Sequence, residues 1–156
     1  MALTRCFVQI MLQEQYRMAR DIVDFPNQEF YRNRLITGGQ GHKRLNTVFL
    51  KPGRTVAFLH HEHLEAHSAR SMHNLGEGEL VRDVVEDLLQ KNSDLRPHEV
   101  GIISPYAAQT TFLRELRLTG LHPDVEVHTV DGFQGREKRA IVLSTVRSNS
   151  KKTIGL

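Results

Sequence analysis

The feature that most constrains the fold is the alternation of amphipathic helices with short apolar strands in the second half of the chain. Asn74 and Glu77 have the spacing of a helix N-cap and its third residue, and apolar residues follow at helical period to about Gln90. A second helical pattern starts near Phe112 and stops at Gly120. Three apolar segments typical of strands occupy residues 100–104, 126–130 and 140–146. Strands joined through helices require right-handed crossovers, so we predict an α/β fold, a mainly parallel sheet with helices on both faces.

The first half of the chain carries weaker patterns. Residues 7–12 and 55–59 are apolar enough for strands. Residues 19–31 have a helical pattern that Pro26 is expected to break into two turns. Residues 37–51 combine several glycines with polar side chains, which indicates a connecting loop.

Composition excludes several classes of protein. Hydrophobic residues form 39% of the chain and charged residues 25%, which is typical of a globular rather than a disordered protein. No apolar run approaches the ~20 residues of a membrane span, and the N-terminus makes a poor signal peptide. The single cysteine excludes an internal disulfide and fits a reducing compartment. We therefore expect an intracellular protein with no membrane partner, and composition does not choose between cytoplasm and nucleus.

Positive charge is only slightly in excess over the whole chain. The balance of 21 Lys and Arg against 18 Asp and Glu permits a nucleic-acid partner without requiring one. The C-terminal end is richer in positive side chains: Arg136, Lys138, Arg139, Arg147, Lys151 and Lys152.

Two turns at strand ends carry chemically useful side chains. Pro105 and Tyr106 follow the strand 100–104, where a tyrosine can stack on a base and the next helix can aim N–H groups at a phosphate. A simple strand-to-helix turn with a partly buried tyrosine is the alternative. In the second turn, Asp131 and Gln134 can cap a very short helix beside Thr129. A plain capped turn is the alternative there.

Two further groups of residues are open to more than one interpretation. Tyr16 and Arg17 fit a base-stacking ring and a phosphate fork, or a half-buried tyrosine beside a surface salt bridge. His63 and His67 have the helical spacing of metal ligands within a cluster that also contains His60, His61 and Glu62. No cysteine accompanies these histidines, so we interpret the cluster as a solvated loop and predict no metal site.

Four blocks then occur in a fixed order: residues 15–18 (Gln-Tyr-Arg-Met), 100–106 with Gln109, 130–138 and 146–149. In this order they resemble the second RecA-like motor domain of superfamily 1 helicases, in the group related to the nonsense-mediated-decay helicase, senataxin and nuclease-helicases. The resemblance covers the chain from residue 13 onward and implies a RecA-like P-loop NTPase fold, with residues 1–156 as one RecA-like helicase C-terminal domain.

The resemblance also implies an ATP site. Arg17 would be the catalytic residue, contacting the terminal phosphates of ATP bound between two motor domains. Tyr16 would lie against the adenine, and Gln15 belongs to the same ATP-binding block. Gly135 and Glu137 would approach the nucleotide from the second turn. A guanidinium that steadies charge on a transferring phosphoryl group fits this role physically.

The same resemblance implies a site for single-stranded nucleic acid, either DNA or RNA. Thr129 would hold a phosphate of the strand, and Gln134 would bridge the nucleic-acid and ATP sites. Pro105 and Tyr106 would touch the bound strand. Contacts of backbone and hydroxyl groups to phosphate give affinity with little sequence preference.

Several parts of a complete motor are missing from the sequence. It contains no Gly-x-x-x-x-Gly-Lys-Ser/Thr loop and no paired Asp-Glu box after a strand, and it stops at Leu156 before the arginine of helicase motif VI. The resemblance therefore implies that ATP and Mg²⁺ are bound mainly by a first RecA-like domain of the same parent chain. These 156 residues alone are expected to hydrolyse no ATP.

Three functions remain open at this point. The first is the second motor domain of an ATP-dependent helicase or translocase. The second is a non-catalytic helicase-like module that binds nucleic acid or a protein partner. The third is a nucleotide-binding domain of another purpose. Arg17 and Glu137 favour the first over the second, because a scaffold has no need of a phosphate-facing arginine.

Overall fold

The structure, a computed structural model, describes residues 10–39, 43–68 and 70–151, and leaves the side chains of 117–119 aside. The predicted strand 7–12 lies mostly outside this range, and its described part, residues 10–12, is irregular. The chain divides into two compact units. The first comprises residues 1–44 and 53–56, and the second residues 45–52 and 57–156.

The first unit contains one helix and a short parallel strand pair. Strand β1 (Glu14–Gln15) is followed by helix α1 (Arg20–Tyr31) and by strand β2 (Ile36–Thr37), which pairs with β1. The helix runs through Pro26 without a break, so the predicted division into two turns is wrong. It ends where Arg32 and Asn33 turn left-handed, at φ 53° and 58°.

The second unit holds the main sheet. Its elements are β3 (Ala66–Ser68), β4 (Ser71–His73), α2 (Leu75–Lys91), β5 (Val100–Ser104), α3 (Ala107–Thr119), β6 (Glu126–Thr129) and β7 (Ala140–Leu143). Strands β3 and β4 form an antiparallel hairpin, whereas β6, β5 and β7 form a parallel sheet in that order. Short 3₁₀ turns precede β5 and follow β6. The predicted α/β fold with a mainly parallel sheet is confirmed.

The hydrophobic core lies on one face of the parallel sheet. Ile102, Val127 and Val142 occupy matching positions on the three strands and pack against the apolar sides of α2 and α3. The opposite face is crossed by the connection from β6 to β7, whose Phe133 lies against Gly101. Within the described residues, the only helix of this connection is a short 3₁₀ turn.

Most predicted boundaries in the second unit are correct. Asn74 caps α2 by accepting from the Glu77 N–H at 3.0 Å, and the helix ends one residue beyond Gln90. Helix α3 begins earlier than its apolar pattern, at Ala107, and its C-cap is Gly120 as predicted.

Two strand predictions need correction. Residues 55–59 form no strand, and the Thr55 N–H donates to the Asp21 carboxylate at 3.1 Å instead of to a ladder. Strand β7 stops at Leu143 rather than at Val146, which is left-handed at φ 67° and therefore cannot continue a strand. Across the described chain, no helix has both the length and the apolar character that crossing a bilayer demands.

Candidate functional site

The side-chain amide of Gln15 organises the turn that carries Arg17. Its oxygen accepts the N–H groups of Arg17 at 3.1 Å and Met18 at 2.8 Å. Its nitrogen donates to the Met18 carbonyl at 2.9 Å and to the Thr37 hydroxyl at 2.7 Å. These four bonds fill the hydrogen-bonding capacity of a primary amide. Gln15 therefore shapes the turn, and the Arg17 side chain is exposed beside it.

Tyr16 lies against two glycines, Gly38 and Gly39, that the sequence did not single out. A Cβ atom on Gly38 would lie 2.5 Å from Cε1 of the Tyr16 ring, so only glycine permits this approach. The ring is 61% exposed, and its hydroxyl donates to Glu14 at 2.7 Å, a bond that raises the pKa of Tyr16. An exposed aromatic ring is suited to stacking. The only signal in the sequence is the Gly38-Gly39 pair, whose composition indicates a loop.

In the second unit, the nucleic-acid candidates lie at the edge of the sheet where the parallel strands end, here called the carboxyl edge. Ser104 at the end of β5 is opposite Thr129 at the end of β6. Pro105 and Tyr106 follow directly after Ser104, and Pro105 is exposed. The register therefore brings Pro105, Tyr106 and Thr129 together, at the position where open α/β sheets bind ligands.

The start of α3 is less available to a phosphate than the sequence suggested. The Ala108 N–H donates to the Ser71 hydroxyl of β4 at 3.1 Å, and the Thr110 N–H closes the first helical bond to Tyr106. The Tyr106 N–H donates to the Ser104 hydroxyl at 3.3 Å. Strand β4 thus caps the N-terminus of α3 through a tertiary contact that no local sequence pattern predicts.

The turn after β6 is a short helix, as predicted, but its capping group is different. The Thr129 hydroxyl accepts the Gly132 N–H at 3.2 Å, whereas the Asp131 side chain forms no cap. Gln134 is exposed on this turn and follows the buried Phe133. A shallow groove of about 410 Å³ runs here, lined by Ile103, Val130, Asp131, Phe133, Gln134, Gly135 and Arg136.

Glu126 fixes the segment that carries Gly135 and Glu137. Lys138 Nζ donates to this carboxylate at 2.6 Å and Arg136 Nη1 at 3.0 Å. The hydrogen bond from Lys138 holds the pKa of Glu126 below its ordinary value. Gly135, directly before Arg136, is left-handed at φ 80°, which favours glycine, and Glu137, between Arg136 and Lys138, is exposed. Sequence reasoning missed Glu126, because its partners lie ten and twelve residues away.

Four of the described positive side chains near the C-terminus form ion pairs. Arg136 and Lys138 pair with Glu126, Arg139 pairs with Asp94 at 2.9 Å, and Arg147 lies 3.3 Å from Glu65. Carboxylates thus neutralise these four side chains, so they add little net positive charge near the C-terminus.

The histidine cluster is only partly a solvated loop. His60, His63 and His67 are exposed, and His67 lies on β3, so the helical spacing proposed for metal ligands does not arise. His61 is different, because its Nε2 lies 3.2 Å from the buried carboxylate of Glu77. In the described part of the chain, no group of three His, Cys, Asp or Glu side chains is arranged to hold a metal ion.

The predicted residues therefore form two local groups. Gln15, Tyr16 and Arg17 share one turn of the first unit. The second unit carries the other residues, around the ends of β5 and β6: Pro105, Tyr106, Thr129, Gln134, Gly135 and Glu137.

Comparison with known proteins shows which family the chain resembles. The family model described as "AAA domain" matches residues 2–156. The DNA replication ATP-dependent helicase/nuclease JHS1 of Arabidopsis thaliana is 33% identical over 90% of this chain and 11% of its own length. The DNA polymerase alpha-associated DNA helicase A of Saccharomyces cerevisiae is 34% identical, over 92% of this chain and 24% of the relative.

A third relative is not named as a DNA helicase. The Regulator of nonsense transcripts 1 homolog of Drosophila melanogaster is 34% identical over 92% of this chain and 13% of its own length. The chain thus spans less than a quarter of the length of each of these relatives. The helicase motifs occur in order, and the family model matches nearly the whole of this chain. The chain therefore belongs to the AAA domain family, as a domain of the superfamily 1 helicases.

Proposed function

We propose that these residues form the second RecA-like motor domain of an ATP-dependent DNA or RNA helicase or translocase. The observation that carries the proposal is the register of β5 and β6, with Ser104 opposite Thr129. It supports a shared role for Pro105, Tyr106 and Thr129 as contacts to single-stranded nucleic acid. The relatives named as helicases support the same function, and the choice between DNA and RNA stays open.

The chemistry of the carboxyl edge suits a strand bound without base reading. The partly exposed Tyr106 ring offers a face for base stacking, and the Thr129 hydroxyl offers a hydrogen bond to a phosphate oxygen. Gln134 lies on the turn between Thr129 and Gly135, which fits a bridge between the nucleic-acid and ATP sites. Such contacts bind the sugar-phosphate backbone of a nucleic acid whatever its base sequence, as a translocating motor requires.

The ATP role rests on the first unit and the Gly135 turn. Gln15 shapes the turn from which the exposed Arg17 extends, and a positioned guanidinium stabilises charge on a transferring phosphoryl group. Tyr16 presents an aromatic ring that suits an adenine, and in the second unit Gly135 and Glu137 are the residues proposed to contact the nucleotide. ATP and Mg²⁺ would be held mainly by the first RecA-like domain of the parent chain, and closure of the two domains would complete the site.

The decisive experiment compares two arginine variants of the parent helicase. We expect Arg17→Ala to lower nucleic-acid-stimulated ATP hydrolysis by about 10³-fold, the lower end for an arginine acting on the transferred phosphate. Single-strand affinity without nucleotide should be unchanged. Arg20→Ala is the matched control, because Arg20 is equally exposed and begins α1.

The outcomes separate the three functions. Unchanged hydrolysis in Arg17→Ala would refute the phosphate role. A parent that binds single strands but hydrolyses no ATP is the non-catalytic module. A parent that binds nucleotide and shows no salt-dependent affinity for single strands is a nucleotide-binding domain of another kind.

A further inference from the structure

The segment that follows β7 is held in an unusual conformation. Val146 is completely buried and left-handed, at φ 67°. A β-branched residue rarely adopts this region, because its side chain crowds the backbone. Such a conformation persists only where the surroundings fix it, and residues of this kind cluster at functional sites.

Two side chains at the start of α2 hold the backbone of Val146. Both carboxylate oxygens of Glu77 accept the Val146 N–H, at 2.9 and 3.1 Å. The Asn74 side-chain amide donates to the Val146 carbonyl at 3.3 Å. Gln109 extends the network, since its amide nitrogen donates to the Asn74 carbonyl at 3.2 Å and to the Ser144 hydroxyl at 3.0 Å. The residues on both sides of Thr145 are thus tied to buried polar groups.

Glu65 also holds the segment after β7 through hydrogen bonds. The Ser148 N–H donates to the Glu65 carboxylate at 2.8 Å, and the Glu65 N–H donates back to the Ser148 carbonyl at 3.0 Å. The Asn149 amide adds a bond to the same carboxylate at 3.2 Å. Between residues 144 and 149, Thr145 is exposed, Ser144 and Val146 are buried, and residues 147–149 are partly exposed. The two sets of bonds therefore hold Thr145 exposed between two buried neighbours.

Thr145 lies at the same edge as the proposed nucleic-acid contacts. The Ser144 N–H donates to the Ile103 carbonyl at 2.8 Å, which continues the parallel register of β7 with β5 past Leu143. Thr145 is therefore level with Pro105, one strand along. Thr129 is on the other neighbour of β5, level with Ser104, so the backbones at Thr129 and Thr145 lie two strand spacings, about 10 Å, apart across the edge that carries Pro105.

We propose that Thr145 is a further contact to single-stranded nucleic acid, its hydroxyl donating to a phosphate oxygen. The inference rests on the proposed function and extends it from two strands of the sheet to three. A strand crossing the carboxyl edge meets Thr129, then Pro105 and Tyr106, then Thr145. Glu77 and Asn74 act as positioning residues, because they fix the turn that presents the hydroxyl.

The test measures binding of fluorescent oligo-dT and oligo-U to the full chain by anisotropy at several salt concentrations. We expect Thr145→Val to weaken binding about 5-fold with the salt slope unchanged, because a neutral hydroxyl displaces no counterion. Thr145→Ser keeps the hydroxyl and should bind like the wild type. Ser93→Ala is the matched control, since it removes an exposed hydroxyl that precedes β5, at the opposite edge of the sheet.

Hydrogen exchange of the Val146 amide reports whether each variant keeps the turn. Wild-type affinity in Thr145→Val with Val146 still protected overturns the inference and leaves the proposed function standing. Equal weakening in Thr145→Val and Thr145→Ser also overturns it, because the hydroxyl is then not the contact. If the wild-type chain binds no single strand at any salt concentration, the proposed function fails first and the inference fails with it.

Discussion

Asn74 offers the sharpest test of how the second unit is held together. Its side chain is completely buried and makes three hydrogen bonds. The oxygen caps α2 at the Glu77 N–H, and the nitrogen donates to the carbonyls of His63 at 2.8 Å and Val146 at 3.3 Å. A helix cap alone needs only the oxygen. The two donor bonds, together with the contacts of Glu77 to His61 and Val146, join the start of α2 to the segments before β3 and after β7.

Three substitutions separate these contributions. Asn74→Ala removes the cap, worth ~1 kcal/mol, and leaves two carbonyls unpaired at ~1 kcal/mol or more each, so we expect a loss of ~3 kcal/mol. Asn74→Ser restores a cap acceptor and should recover ~1 kcal/mol of that loss. Asn74→Asp also keeps a cap, but it replaces the donor by a charged oxygen facing two carbonyls and should be no more stable than Asn74→Ala.

Urea unfolding followed by far-UV circular dichroism measures these differences. A loss of ~3 kcal/mol is a large part of the 5–15 kcal/mol that stabilises a typical domain, so the midpoint should fall clearly. Asn46→Ala is the control, because Asn46 is exposed and bonds to Asn92 through its backbone alone, and it should stay within about 0.5 kcal/mol of the wild type. Wild-type stability in Asn74→Asp would refute the reasoning, since it would reduce Asn74 to a helix cap.

Three further predictions follow from single contacts. Gly78→Ala should destabilise the chain by about 1–3 kcal/mol in the same urea assay despite the better helix propensity of alanine, because the added Cβ meets the Phe112 ring. Glu126→Gln should lower stability at neutral pH; since the folded pKa of Glu126 is depressed below 4.5, that difference should vanish as pH falls through the folded value, seen as converging unfolding midpoints in acid. The purified 156-residue chain should release no phosphate from ATP with or without single strands, because it lacks the phosphate-binding loop, and stimulated turnover would contradict this.

Sequence patterns predicted the helices and strands that are determined by residues close together in the chain. The strand 100–104 is mainly apolar and almost entirely buried, and α2 combines an N-cap with a clear helical period. Both were predicted to within a residue. Residues 55–59 are equally apolar, yet Val56 and Phe58 are exposed and no neighbouring strand pairs with them. Apolar content indicates that a segment can be a strand, whereas pairing depends on partners that the pattern does not specify.

The candidate sites show the same difference between features set by neighbouring residues and contacts between distant ones. The sequence predicted which turns carry Tyr106, Thr129 and Gln134, because strand ends and turn residues are local signals. It did not predict that Ser71 caps α3 or that Glu126 gathers Arg136 and Lys138. These contacts join positions 10 to 37 residues apart, and a single sequence carries no trace of such pairs.

Glu77 shows how one residue serves a local and a distant requirement at once. Its spacing from Asn74 is that of a capping box, in which the carboxylate accepts the Asn74 N–H. That N–H instead donates to Gln109 at 2.8 Å, which leaves the carboxylate to accept from Val146 and lie beside His61. A carboxylate near a helix N-terminus is favoured by the helix dipole, so its burial is less costly here than elsewhere in the core. Because Val146 has left the strand ladder, its buried N–H needs an acceptor, and the third residue of α2 is where a charged one is best tolerated.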